Sequence, residues 1–267
     1  MQPLKWILKG VAFVALFVYL AVIIALYNLQ DALVFPAPEN RGDPLPTFAQ
    51  AVDIVTTDNA VLRAIEIRVA KNAPYILFFH GNGALASYGL NRGKAYADAG
   101  FNVLLAEYRG YGGSTGEPSG KTILTDALQH YDWLITKGAR RVFLVGHSLG
   151  TGPATFVAAN RSVSALFLEA PYSSTADVAA DRYPFAPVKL LFKHDIPTKD
   201  FIGNVTVPIQ IMHGTRDRVI PPKFGQKLFQ RAKTTDGFIE VEGARHNLVR
   251  HGSIERAIAF FKAQRGN

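Results

Sequence analysis

Arg141-Val142-Phe143-Leu144-Val145-Gly146-His147-Ser148-Leu149-Gly150-Thr151-Gly152 is the stretch on which the reading of the fold turns. Its first half is a continuous apolar run of β-branched and aromatic residues, the composition of a strand buried on both faces. The run ends at a serine with a glycine two residues away on each side. Residues 149–160 then read as a helix, with Pro153 tolerated in its first turn. A chain that passes from strand to helix at a serine needs small neighbours, because backbone meets backbone closely in so sharp a bend. The stretch therefore has the form of a nucleophile elbow, with Ser148 at its tip.

Working outward, residues 75–79 and 101–108 are short apolar strands, and between them lies a helix-compatible stretch, 84–99, closed by Gly100. Strand, helix and strand at this spacing imply a parallel pair. Residues 119–137 read as the next helix, stopped by Gly138, and the elbow strand follows. Further strands are expected at 165–170, 207–213 and 238–242, and helices at 222–232 and 254–264. Upstream, residues 51–56 and 61–69 flank Thr57-Asp58-Asn59 and read as an antiparallel hairpin. The expected class is α/β: a mostly parallel sheet opened by an antiparallel hairpin, with helices on both faces. Between about 172 and 205 the pattern lapses at Pro184, Pro187 and Pro197, while Tyr183, Phe185, Leu190, Leu191 and Phe192 supply apolar surface. That segment reads either as a small cap over the site or as a connection whose aromatics complete the core.

The chain has 267 residues, 48% of them hydrophobic, and a formal charge of +8. A large part of the apolar content is concentrated at residues 10–27, an uncharged run preceded by Lys5, Trp6 and Lys9. About 18 residues, extended by Ile7 and Leu8, suffice for a tilted membrane-spanning helix. No small-x-small cleavage site closes the run, so a retained anchor is expected over a signal peptide. The lysines before the span put the N-terminus in the cytoplasm and the remainder of the chain on the extracytoplasmic side, periplasmic in a bacterium. The expected organisation is a cytoplasmic stub and anchor at 1–30, a Pro-rich linker at 31–50 (Pro36, Pro38, Pro44, Pro46) and a catalytic domain at 51–267.

Only Lys5 and Lys9 of the basic residues precede Asp31, so the positive excess belongs mainly to the domain. Those residues are scattered, without a run or interleaved aromatics, which argues against nucleic acid and suits proximity to lipid headgroups. The absence of cysteine excludes disulfides, thiolate metal sites and a cysteine nucleophile. No metal or cofactor is expected.

A serine hydroxyl attacks carbonyl carbon only when a base takes its proton, so the elbow calls for a histidine and a carboxylate that follow later strands. Among seven histidines, His246 follows the last expected strand in Glu242-Gly243-Ala244-Arg245-His246-Asn247 and is the candidate base. Asp217, delivered by Val207-Pro208-Ile209-Gln210-Ile211-Met212-His213-Gly214-Thr215-Arg216-Asp217, is the candidate acid, with Glu169 in reserve. Asp217 could instead be a turn aspartate bonding the backbone near Val219. The oxyanion is assigned to the amides of Leu149 and of Asn82, the latter in His80-Gly81-Asn82-Gly83. Glu107-Tyr108-Arg109-Gly110-Tyr111-Gly112-Gly113-Ser114-Thr115-Gly116 lacks the lysine and spacing of a phosphate-binding loop and reads as structural. Arg216 and Arg245 adjoin the candidate acid and base, and would suit a substrate bearing a carboxylate or phosphate.

Residues 108–116, 146–150 and 80–83, and His213-Gly214-Thr215-Arg216-Asp217 with Val219 and Pro221, together resemble the α/β-hydrolase superfamily from about Leu33 onward. They look most like its membrane-anchored, bud-emergence-protein-like and abhydrolase-domain branch, related to the serine aminopeptidase and monoacylglycerol lipase-like set. Asp31-Ala32-Leu33-Val34-Phe35-Pro36 after the anchor is similar too. The resemblance implies a Ser-Asp-His hydrolase carried on Ser148, Asp217 and His246, acting on acyl esters, acylglycerols or S-acylated proteins. Arg245 departs from the glycine that often precedes the histidine in related sequences. The expected activity is ester or thioester hydrolysis of a small-molecule or lipid acyl substrate. The alternatives are a peptidase or amidase of the same fold and a membrane-tethered binding protein without turnover.

Overall fold

Alternation along a single strand divides the interior of the molecule, whose computed structural model describes residues 2–264. In β3 (Tyr75–Phe79), Tyr75, Leu77 and Phe79 pack into one apolar layer, and Ile76 and Phe78 into the other. A strand with both faces covered needs apolar residues at every position, which is why the run shows no polar alternation. The first layer is closed by α3 (Gly120–Thr136), α4 (Thr151–Asn160) and α8 (Pro222–Phe229), the second by α2 (Leu90–Asp98) and α9 (Ser253–Ala263).

The sheet has eight strands in the order β1-β2-β4-β3-β5-β6-β7-β8. β1 (Gln50–Val55) and β2 (Val61–Ile67) form the antiparallel hairpin, and β2 pairs antiparallel with β4 (Asn102–Leu105). From there β3, β5 (Val142–His147), β6 (Ala165–Glu169), β7 (Ile209–Gly214) and β8 (Phe238–Val241) run parallel. After β3 the chain places β4 on one side and β5 on the other, so strand order reverses at β3 and β5. The crevice beyond the carboxyl ends of strands at such a reversal is where open α/β sheets bind ligands. Both Ser148 and the loop 80–83 issue from it.

Most expected elements lie within a few residues of the observed ones. The segment read as one helix over 84–99 is instead a 3₁₀ turn, Ala86–Gly89, followed by α2. The glycine-rich loop after β4 is structural, as expected. Arg109 donates to both carboxylate oxygens of Asp126 (2.6 and 2.8 Å) and of Asp58 (2.7 Å each), tying α3 to the β1–β2 turn.

The N-terminal helix α1 (Gln2–Val34) is 33 residues long, about 50 Å at 1.5 Å per residue. It contains a stretch long and apolar enough to cross a membrane, and none of that stretch is buried within the chain. It also continues through Asp31-Ala32-Leu33-Val34, into the segment read as linker. Nothing there breaks a helix until Phe35, which precedes Pro36 and is driven out of helical geometry by the proline ring. Phe35 is buried in the first core layer. Residues 172–205 hold three short helices, α5 (Thr175–Arg182), α6 (Val188–Leu191) and α7 (Thr198–Phe201). Ser174 caps α5, its Oγ accepting from the Asp177 amide at 2.9 Å.

Candidate active site

Ser148 stands immediately after β5 with φ at +53°, a left-handed conformation that costs a non-glycine residue about 1–3 kcal/mol. The glycines around it are required by contact. A Cβ on Gly146 would lie 2.6 Å from the Gly150 carbonyl oxygen, and one on Gly150 would overlap the carbonyl of Phe79 at the end of β3. The elbow is therefore clamped between its own helix start and the neighbouring strand, and Ser148 is held in one orientation.

The loops after β7 and β8 bring the other two residues to it. Ser148 Oγ lies 2.8 Å from His246 Nε2, and His246 Nδ1 lies 2.7 Å from Asp217 Oδ2. A carboxylate only accepts, so Nδ1 carries the imidazole proton and Nε2 is left as the acceptor facing the serine hydroxyl. The two oxygens of Asp217 have different partners. Oδ1 accepts from the amides of Val219 (2.8 Å) and Ile220 (3.0 Å), and Oδ2 faces His246. Burial raises the Asp217 pKa, but hydrogen bonds from His213 and His246, the charge of His246 and the Ile220 amide outweigh it and hold the carboxyl below the ordinary carboxylate range. His213 was not singled out in the sequence. Its side chain is fully buried 3.4 Å from Asp217 Oδ2, with Nε2 also 2.9 Å from the Ile220 carbonyl. Its place at the end of β7, four residues before the acid, was the available signal.

Glu169, the reserve acid, is engaged elsewhere. It is fully buried and takes two hydrogen bonds from Arg92, at 2.6 and 3.0 Å, while the guanidinium lies 4.8 Å over the Phe78 ring. His80 bridges Gly81 O (2.7 Å) and Glu107 Oε1 (2.9 Å), and Glu107 Oε2 accepts from the Ala86 amide, so the loop after β3 is braced from β4.

Asn82 and Leu149, the candidate oxyanion residues, line the same cavity as Ser148, which encloses about 570 Å³. That size is typical of a small-molecule site. The amide of Gly83 donates to Asn82 Oδ1 at 3.0 Å, and the Leu149 carbonyl accepts from Tyr172 at 2.9 Å. Tyr172, which sequence reasoning missed, stands under Gly152, where a Cβ would overlap its hydroxyl. The glycine after the elbow motif was the trace it left.

Arg216 and Arg245 require a correction. Both are exposed and neither lines the cavity. The Arg216 amide donates to the Ala244 carbonyl at 2.9 Å, stitching the two loops together with these side chains on the outside. The arginines that do line the cavity are Arg182, from the last turn of α5, and Arg218, on the far side of Asp217. The rest of the wall is mostly apolar and includes Val178, Tyr183 and Leu191 from residues 172–205. Other residues of the same segment, Tyr172, Ile196 and Ile202 among them, are buried in the first core layer.

Residues 74–192 match the α/β-hydrolase fold family. The chain is 33% identical over 208 residues to alpha/beta hydrolase domain-containing protein 17B of Xenopus laevis, an alignment covering 74% of this chain and 69% of that protein. It is 29% identical over 195 residues to the lysophosphatidylserine lipase ABHD12 of Rattus norvegicus, covering 65% and 49%. A solved structure of the Pyrococcus furiosus esterase Pf2001 superposes with a TM-score of 0.70 at 18% identity, over 85% of this chain and 97% of that one. The chain belongs to the α/β-hydrolase family. It spans between 47% and 69% of the length of the curated relatives it matches.

Proposed function

We propose that the protein is a membrane-anchored serine hydrolase that cleaves an ester or thioester of an acyl lipid, an acylglycerol or an S-acyl substrate. The observation that carries this reading is the hydrogen-bonded line from Ser148 Oγ through His246 to Asp217, ending at an apolar cavity. Ser148 Oγ bonds to the substrate carbonyl carbon as its proton passes to His246 Nε2, and Asp217 stabilises the imidazolium. The amides of Leu149 and Asn82 receive the oxyanion. Collapse of the tetrahedral intermediate breaks the bond to the leaving alcohol or thiol, which takes the proton from His246. Water then attacks the acyl-serine, giving its proton to His246, and the acid product leaves as Ser148 recovers its hydroxyl proton. A lipid substrate is also favoured by the lysophosphatidylserine lipase among its relatives.

In this reading α1 is a single-pass anchor. With Lys5 and Lys9 ahead of the span, the N-terminus is cytoplasmic and the catalytic unit, residues 51–267 with a cap at about 172–205, faces the other side. The full-length protein should be labelled by a fluorophosphonate probe, and Ser148→Ala should abolish the labelling together with hydrolysis across a panel of acyl esters, thioesters and amides. Labelling that persists in Ser148→Ala removes Ser148 from the role.

A further inference from the structure

The wall of the cavity facing Ser148 is not made by the catalytic domain alone. Ile23, Leu26, Tyr27 and Gln30, on the C-terminal turns of α1, line the same space as Ser148 and Leu149. Their spacing puts them on one helix face. We propose that the anchor helix is itself part of the acyl-binding site, and that the acyl chain of a membrane lipid enters sideways from the leaflet, between α1 and the cap. The proposal rests on the serine-hydrolase reading and assigns it a substrate class and a route of entry.

Three features place this wall in the membrane and hold it against the domain. A bilayer core of about 30 Å takes up about 20 helical residues. Whether that length starts at Lys5 or at Gly10, Tyr19 and Ile23 fall inside it. The cap reaches the same depth, since the Tyr19 hydroxyl donates to the Phe185 carbonyl at 3.1 Å. Phe185, so bonded to the helix, and Leu190 of the same segment are 52% and 82% exposed. An apolar pair facing water would be costly, whereas one facing acyl chains is not.

Beyond that depth, α1 is fastened to the end of the cap. Gln30 Oε1 accepts from the Lys193 amide at 2.8 Å, and the Lys193 ammonium sits 4.0 Å from the Tyr27 ring centroid. Asp31 pairs with His194, whose ring stands edge-on to Phe35 at 5.1 Å. A helix that served only as a tether would need none of these contacts. With them, Ile23 and Leu26 are held at a set position in the wall of the cavity that Ser148 also lines.

The test uses full-length protein reconstituted in phosphatidylcholine vesicles, with p-nitrophenyl hexadecanoate and butanoate as substrates. Ile23→Trp and Leu26→Trp put bulk into the α1 wall of the cavity, and each should lower the ratio of kcat/KM for hexadecanoate to that for butanoate by about tenfold. Val14→Trp, exposed on the same helix and away from the cavity, should leave the ratio unchanged. Ile23→Ala, which adds space without bulk, should shift the preferred chain length upward. If Ser148 is labelled and butanoate is hydrolysed while none of the three cavity substitutions moves the ratio, α1 is no part of the site and the proposal falls alone. If Ser148 is not labelled in the unsubstituted protein, the hydrolase reading falls and takes the proposal with it.

Discussion

The end of the sheet and the apex where α1 meets the cap use apolar residues in opposite ways. At the sheet, Leu144 of β5 is fully buried and its neighbours leave no room for change. At the apex, Leu190 is 82% exposed, as are large parts of α1. Ser148 lies between the two, fixed by the first and roofed by the second. In the proposed function the reactive atoms are positioned by close packing in the protein interior, and the substrate wall is completed where the protein presents apolar surface outward. Chemistry and substrate choice should therefore respond to substitutions in different regions.

The largest effect is expected at the rigid end. Asp217→Asn keeps the shape of the side chain but removes the charge that orients His246, so kcat should fall by about 10⁴-fold. Labelling by the fluorophosphonate should slow in parallel, and the ratio between long- and short-chain esters should stay as it was. A change in that ratio would mean that the two regions are not separable.

A matched pair of truncations then measures the contrast in stability. Leu144→Ala leaves a cavity in the first core layer and should cost about 2–5 kcal/mol. Leu190→Ala, exposed, should stay within about 0.5 kcal/mol. Denaturant unfolding of the detergent-solubilised protein compares them, and similar losses at both positions would show that Leu190 is packed.

A further effect concerns pH and belongs to the interior alone. His130 is buried, with Nδ1 2.9 Å from the Asp126 carbonyl and no partner on Nε2. Burial, with a lesser contribution from the neighbouring His80, lowers its pKa to about 4 against the opposing effect of the Asp126 carbonyl. The unfolded chain takes up this proton near pH 6.5 and the folded one only near pH 4. Stability should thus be full above about pH 6.5 and fall as the pH drops from there toward 4. His130→Gln should flatten part of that slope in a urea-midpoint series. An unchanged slope would place the acid sensitivity elsewhere, with His147, also lowered to about 4 chiefly by burial, the next group to test.

Much of the fold was legible in the sequence because its signals are local. A strand covered on both faces must be apolar throughout, as in Val142–Val145, and a tight turn from strand to helix must be flanked by glycine, as at Gly146 and Gly150. The order of serine, aspartate and histidine along the chain followed from which loops lie at the carboxyl edge of a parallel sheet. The arginines show where this reasoning stops. Proximity in sequence to Asp217 and His246 singled out Arg216 and Arg245, but along an irregular loop neighbouring positions do not share a side. Arg218 lines the cavity and Arg216 does not. Arg182 reaches it from α5, far earlier in the chain than Asp217.

By itself, then, the sequence determined a mostly parallel α/β sheet, an elbow serine and a helix apolar enough to enter a membrane, since each depends on residues close together in the chain. Tertiary structure alone decided that Gln30 and Asp31 meet the chain at Lys193 and His194, and that one face of α1 lines the same cavity as Ser148. Contacts across more than a hundred intervening residues leave no periodicity to read. They exist only once the sheet has brought the cap, the elbow and the end of the helix to the same edge.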